Sequence, residues 1–281
     1  MTRVLLVVVY ALCVPLTVFA QQRPLVTEDP ETVGAGRVLV EGGFDYGRGV
    51  EYSASGLQGN LLRVPLVGVS VGISSIAEVQ IDGGLYNRLS ITDRDPSAPL
   101  AGMITATGDT TWSVQDFVIG TKVRVVSEGA MSPGFGVRFA TKLPNASNES
   151  GIGLDTIDFY VSVLGAKTFE SLRVVGNLGV AILSDPTRGD RQDDALTYGA
   201  SFARALTTAA EIVGEVNGHV DTRNGDPLPG TESSSVLRVG ARYTVGSWRA
   251  DAALIVGLAD RDPGFGVAAG FTYVFSAFTV P

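Results

Sequence analysis

The side chains able to bind, steer or transform a solute recur in this chain at every second position, each flanked by large apolar residues. Glu78, Gln80 and Asp82 alternate with Ala77, Val79 and Ile81, and Asp116, Lys122 and Arg124 with Phe117, Ile119, Val123 and Val125. Arg138 and Lys142 stand among Phe135, Val137 and Phe139, Asp158 between Ile157 and Phe159, and Arg173 between Leu172 and Val174. Glu211, Glu215, Asn217 and His219 oppose Ile212, Val216 and Val220, while Arg238 and Arg242 oppose Leu237, Val239 and Tyr243. Arg249 and Asp251 oppose Trp248 and Ala250, and nearer the start Glu41, Asp45 and Arg63 take the same parity. A period of two sends charges to one face of a β-strand and apolar groups to the other.

Such faces have two uses. Acids and bases confined together can pair and neutralise one another, which is the default in a narrow interior. Ladders of bases opposite acids can instead set a transverse field that orients polar or anionic solutes in a water-filled pore. The bases cluster on neighbouring strands: Lys122 and Arg124 against Arg138 and Lys142 across one hairpin, and Arg238 and Arg242 against Arg249 across another.

Catalysis needs a nucleophile beside a base. The one histidine, His219, falls beside Glu215 on the inward face, where a network member is expected and no catalytic residue. The acid-rich stretch Ser184–Asp194 lacks the alternate oxygen donors and distal Glu of a calcium loop. No enzyme activity, metal site or cofactor is expected. A net charge of −8 argues against a nucleic-acid partner.

The elements that position these faces follow from composition. Residues 1–20 fit a signal peptide: Arg3 leads an apolar run to Val18, and Val18-Phe19-Ala20 suits cleavage. Leu12 before the single cysteine, Cys13, argues against lipidation. Beyond this leader no stretch is apolar for the roughly 18 residues a spanning helix needs. Yet hydrophobic residues make up 45%, charged residues 18%, and glycines number 35; a soluble domain carries nearer ~25% charge. That profile is expected of a transmembrane β-barrel.

About twelve strands are predicted: 37–46, 60–69, 76–86, 114–125, 134–143, 156–164, 172–182, 196–204, 211–220, 236–243, 248–258 and 267–275. Pro65 makes the second the weakest. Brief joints alternate with longer polar ones, the rhythm of an even-stranded barrel with both termini on one side. Tyr243, Trp248, Tyr273 and Phe275 fall at one rim, and Tyr46 and Trp112 at the other, as interfacial aromatics do. Val267–Phe275, with Gly270 three residues before Tyr273, resembles the signal that outer-membrane barrels present to their insertion machinery.

Across nearly the whole mature chain the sequence also resembles the bacterial outer-membrane "transporters" of the MetA-pathway of phenol degradation family. The matching pieces are Arg23-Pro24-Leu25-Val26-Thr27-Glu28-Asp29 leading into Gly36–Gly43, and Ser113–Asp116 leading into Gly120-Thr121-Lys122. Others are Phe139–Pro144 followed by Gly151–Thr156, then Asn177-Leu178-Gly179, Gly214–Gly218 and Gly270–Phe275. One departure is the tail Ser276–Pro281 after the final aromatic. The resemblance implies passage of aromatic or other hydrophobic compounds and carries over no site residue.

The expectation is therefore a signal peptide (1–20), a periplasmic lead-in (21–35), an up-and-down barrel in the outer membrane (36–275) and a tail (276–281); the lead-in is expected to be loose, as termini commonly are, with folding up to narrow the pore as the alternative. Passive or facilitated passage of small molecules is the expected function; the alternative is a non-conducting structural or surface-interaction barrel with a salt-bridge-filled lumen. Outer-membrane lipid, lipopolysaccharide, the insertion machinery and a small solute are the expected partners. A lateral gap at Pro65, Gly42-Gly43 or Gly83-Gly84 is a further way an apolar compound would travel.

Overall fold

A computed structural model describes residues 23–280, so the predicted leader lies outside the described residues. Its strands are β1 (Arg37–Tyr52), β2 (Leu57–Gly72), β3 (Ala77–Gly84), β4 (Asn87–Arg94), β5 (Thr110–Ser113), β6 (Val118–Val126) and β7 (Gly134–Lys142). They continue with β8 (Asp158–Phe169), β9 (Leu172–Ser184), β10 (Gln192–Ala205), β11 (Ala210–Asp221), β12 (Ser234–Val245), β13 (Trp248–Gly257) and β14 (Phe265–Ser276). Every pairing is antiparallel, and β1 bonds to both β14 and β2, which closes the sheet. Both β3 and β4 pair with β2, while β6 pairs with β3 and β5 with β4. Each of these couples is two halves of one crossing, so the wall is a closed barrel of twelve crossings, the predicted number.

The period-two pattern builds the wall as expected. Along β8, Phe159, Val161 and Val163 are about half exposed, while Asp158 and Leu164 are buried. Large apolar side chains cover the outer face of most strands. A belt of that size is unfavourable in water and fits hydrocarbon, where a closed ladder pairs backbone groups that lipid cannot. On the side of the short turns Trp248 stacks on Tyr273 with ring centroids 4.4 Å apart, and Tyr273 on Phe275 at 5.6 Å. Tyr86 and Trp112 meet at 5.7 Å on the opposite, loop side.

Two expectations fail, both near β2. Residues 47–59 were expected to be a loop, but β1 and β2 run on to Tyr52 and from Leu57, and β4 and β5 extend the neighbouring crossings. Above the apolar belt the polarity inverts: Leu57, Leu61 and Leu89 are buried together against Val50, Tyr52, Ile91, Ile104 and Ile152. A template that demands apolar residues outward misses strands of this kind. Nor is β2 weak. Phe44 of β1 stands against both Val64 and Pro65, a bulge that spends the residue lacking an N–H where the ladder skips. On the other edge Val64 N donates to Tyr86 O at 2.8 Å and Leu85 N to Pro65 O at 3.0 Å.

Candidate solute path and the segment that crosses it

Residues 23–36 are not a loose lead-in. They fold up into the barrel and cross the lumen, because the wall supplies partners that water outside would only match weakly. Val26 N and Thr27 N donate to the Glu215 carboxylate at 2.8–2.9 Å. Glu28 N donates to Asn177 Oδ1 at 2.6 Å, and Asn177 Nδ2 returns a bond to Glu28 O at 2.7 Å. Val33 N donates to Glu78 Oε2 at 2.6 Å, and Gly36 N to Gly72 O at 2.9 Å. At the far end Arg242 Nε donates to Arg23 O at 2.7 Å, and Arg23 Nη2 to Ala269 O at 3.0 Å. Backbone donors held by buried carboxylates are charge-assisted bonds, stronger than neutral ones.

The wall is shaped for this path. A Cβ on Gly270 would lie 2.5 Å from Arg23 Nε, and one on Gly199 2.9 Å from Thr27 Oγ1. Below, Val33 packs with Leu39 and Val274 in an apolar cluster at the turn side.

The segment also resolves the clustered bases. Lys122 and Arg138 are register partners, and like charges directly opposite are destabilising. Glu28 lies between them, 3.4 Å from Lys122 Nζ and 3.1 Å from Arg138 Nε, while Glu78 holds Lys122 from the other side at 3.0 Å. Asp29 takes Arg173 at 2.7 Å, with Glu128 on the same guanidinium at 2.8 Å, and Glu31 takes Arg124. Three acids of the segment thus serve four bases on β6, β7 and β9. Gln80, which accepts from Arg138 Nε at 2.8 Å, and Asn177 sit on the inward face that parity gives them, and the acids Glu28, Asp29 and Glu31 are the functional residues that strand parity missed. Their signal was an excess of bases on those strands and an acid-containing run just before the first strand.

Most of the remaining inward charges pair within the wall. Lys142 lies 2.6 Å from Asp158 and 3.7 Å from Asp116, whose carboxylate also accepts from Ala146 N at 2.6 Å. Arg238 binds Glu215 at 2.9 Å and Asn217 at 2.6 Å. Arg63 binds Asp45 at 2.7 Å. Glu211 lies 4.0 Å from Arg242 and 3.8 Å from Arg249, and Asp251 lies 3.7 Å from Arg23. The second expected ladder of bases is offset: Arg242 faces Asp251, and Arg249 faces Thr244. Asp82 belongs to none of these ion pairs and borders open space.

His219 is inward but apart from Glu215, whose oxygens are committed to Arg238 and the segment. Its register partners are Thr197 on β10 and Ser234 on β12, and the Ser234 hydroxyl donates to Asp262 at 2.6 Å. Among the described residues no cluster of three or more ligands could hold a metal ion.

Three cavities follow one another down the lumen. The outermost, about 310 Å³, lies between the loops and is bordered by His219, Lys142 and Asp116. It shares Tyr52, Ser234 and Arg261 with a second of about 510 Å³. That one shares Asp45, Arg63 and Arg238 with a third of about 400 Å³, whose floor is Arg23, Leu25, Val26 and Glu28 of the segment.

The fold is that of the outer-membrane β-barrels. The chain is similar to the solved COG4313 outer membrane channel from Pseudomonas putida F1, with 13% identity, a TM-score of 0.62, and coverage of 88% of this chain and 98% of that one. Weaker likenesses join it to the translocator domain of autotransporter NalP from Neisseria meningitidis (14% identity, TM-score 0.47, 86% and 89% covered) and to a deletion mutant of the TodX monoaromatic hydrocarbon channel (11%, 0.47, 89% and 93%). No protein-family model and no curated protein matches the chain.

Proposed function

We propose that the protein is an outer-membrane channel for small uncharged molecules with an apolar part, and that residues 23–36 are its barrier. The observation that carries this is the run of cavities from the loops down to the segment. Most charged groups around the third cavity are matched, Arg63 by Asp45, Arg138 by Glu28 and Arg238 by Glu215, and Asp82 is left outside these pairs. The unmatched carboxyl disfavours anions, while Leu25, Val26, Leu66 and Val118 offer apolar contact. The family resemblance points the same way, toward hydrophobic or aromatic compounds, and the name of the Pseudomonas neighbour fits a channel. In this account the leader over residues 1–20 directs export, the turn side faces the periplasm, and the terminal strand engages the insertion machinery.

The test is conductance in planar bilayers of the intact mature protein and of a variant lacking residues 23–35. The intact barrel is expected to pass small, rare steps and the shortened one large, steady steps. Silence from both, with the barrel folded, favours the non-conducting structural barrel, whose support is the number of ion pairs that fill the lumen.

A further inference from the structure

Two charged side chains around the third cavity lack an ion-pair partner among the described residues, and both are acids: Asp82 of β3 and Glu41 of β1. The other charged residues there, Arg23, Glu28, Asp45, Arg63, Arg138 and Arg238, each lie within ion-pair distance of an opposite charge. Register accounts for the difference. Glu41, Gly68 and Asp82 stand side by side on β1, β2 and β3, and Val118 of β6 follows. Neither neighbour of Asp82 carries a side-chain donor, and glycine leaves the space between the two acids bare. Both carboxylates lean over Gly68: from the place where a Cβ would stand, Asp82 Oδ1 is 2.7 Å away and Glu41 Oε2 3.5 Å. Glu41 is anchored by its other oxygen, which accepts from the Thr272 hydroxyl at 3.0 Å.

Amide oxygens continue this accepting face. Gly84 takes the next inward position of β3, and around the place of its Cβ stand Gln115 Oε1 at 2.8 Å and Asn87 Oδ1 at 2.9 Å. Both oxygens are buried without a hydrogen-bond partner, and Asn87 as a whole is only 7% exposed. Gln115 borders the same cavity as Asp82. A polar oxygen kept from water costs free energy until a donor reaches it. The cationic donors around the cavity are already committed, Arg63 to Asp45, Arg138 to Glu28 and Arg238 to Glu215. Much of the remaining lining is apolar, Leu25 and Val26 from the segment and Leu66, Val67 and Val118 from the wall.

We infer that this face is a binding site for a small uncharged amphiphile whose head donates hydrogen bonds, an alcohol or an amine, with Asp82 as the residue that selects it. The inference rests on the channel proposed above and narrows its cargo. A carboxylate and an amide oxygen only accept, so a hydroxyl or amino head satisfies them where an ether, a ketone or a hydrocarbon does not. A bond to an ionised acceptor is also stronger than one between neutral groups. A site built to accept in this way rejects the analogue without a donor, because its own buried groups would stay unpaired. The two unpaired acids repel a carboxylate solute. At about 400 Å³ the cavity falls in the range of small-molecule pockets.

The experiment is equilibrium dialysis of radiolabelled benzyl alcohol, aniline, anisole and benzoate against the mature protein in lipid nanodiscs, with protein-free discs as the blank. Benzyl alcohol and anisole are isomers that differ in the donor. Wild type is expected to hold benzyl alcohol and aniline at least fivefold more tightly than anisole, and benzoate least of all. Asp82→Leu is expected to erase that preference while anisole binding stays within twofold. Its thermal midpoint should be no lower, since the substitution removes a charge that has no partner. Gly68→Ala keeps both acids and fills the space between them, where only side-chain atoms stand in the way, and is expected to weaken benzyl alcohol at least threefold. Equal affinity for benzyl alcohol and anisole in wild type, or a preference that survives both substitutions, overturns the site and leaves the channel standing. Selective binding in discs, with benzyl alcohol entering cells no faster when they carry the protein, upholds the site and overturns the channel.

Discussion

The barrel has an orderly half and a broken half. From β7 round to β14 the ladders run without a register shift. From β1 to β6 the wall carries bulges at Phe44–Pro65, at Gly47–Val50 and beside Gln58, and the ladder is interrupted between Asp82↔Val118 and Asn87↔Ser113. The orderly half supplies Glu215, Asn177, Arg138 and Arg173, which grip the segment. The broken half gives the third cavity much of its wall, Leu66, Val67, Gly83 and Gln115 among it. The segment is thus held from both walls, since Glu78, Lys122 and Arg124 of the broken half bind it as well, while irregular pairing is confined to one of them.

Ion pairs are where this contrast breaks most visibly. Arg238 of the orderly half binds Glu215, a carboxylate whose side chain is fully buried. Arg238→Ala removes the cation from that buried carboxylate and is expected to cost about 3–5 kcal/mol. Arg63 on the broken half is a third exposed at its side chain, and Arg63→Ala is expected to cost about 1 kcal/mol or less. Heat-induced mobility shifts in detergent would rank the two, and equal losses would dissolve the distinction.

A smaller effect is expected from filling the groove of the orderly half. In Gly199→Val the new side chain meets Thr27 of the segment, and no wall atom comes as near. The barrel should keep its thermal midpoint while conductance rises severalfold. Gly176→Val, where the nearest atom is 4.0 Å away, should change neither. A Gly199→Val protein as silent as wild type would place the barrier elsewhere.

The smallest effect is a pH dependence at the turn side. Burial opposes ionisation of Glu128, but the Thr168 amide, the Arg173 guanidinium and the Thr168 hydroxyl outweigh it and hold the carboxyl below its usual range. A carboxyl lowered by folding stabilises fully above the unfolded value, near ~4.3, and loses that contribution as pH falls through the folded value. Wild type should therefore lose thermal midpoint below about pH 4 more steeply than Glu128→Gln. Parallel acid profiles would show that the turn contributes nothing.

Much of this was legible in the residues. Strand number, the inward face and the short turns follow from a period of two that lipid and a closed lumen enforce together. The extensions around Leu57, Leu61 and Leu89 were not, because above the membrane both faces change environment and the apolar one turns inward. The segment was not legible either. Its Leu25, Val26 and Val33 have no period, and its acids make sense only beside Lys122, Arg138 and Arg173, which lie about a hundred residues away or more. Gln115 shows the same limit: alternation assigns it outward, yet it borders the third cavity of the lumen.

The central claim is that residues 23–36 thread the lumen and block it. Cysteines at Thr27 and Gly199 test it most directly, since a Cβ on Gly199 would lie 3.5 Å from that of Thr27, within disulfide range, and the sequence's single cysteine falls at position 13. The account predicts that the pair forms a disulfide in intact cells under mild oxidation, and that the locked protein keeps the low conductance of wild type. Free thiols at both positions, open to a water-soluble maleimide in the folded barrel, would contradict it.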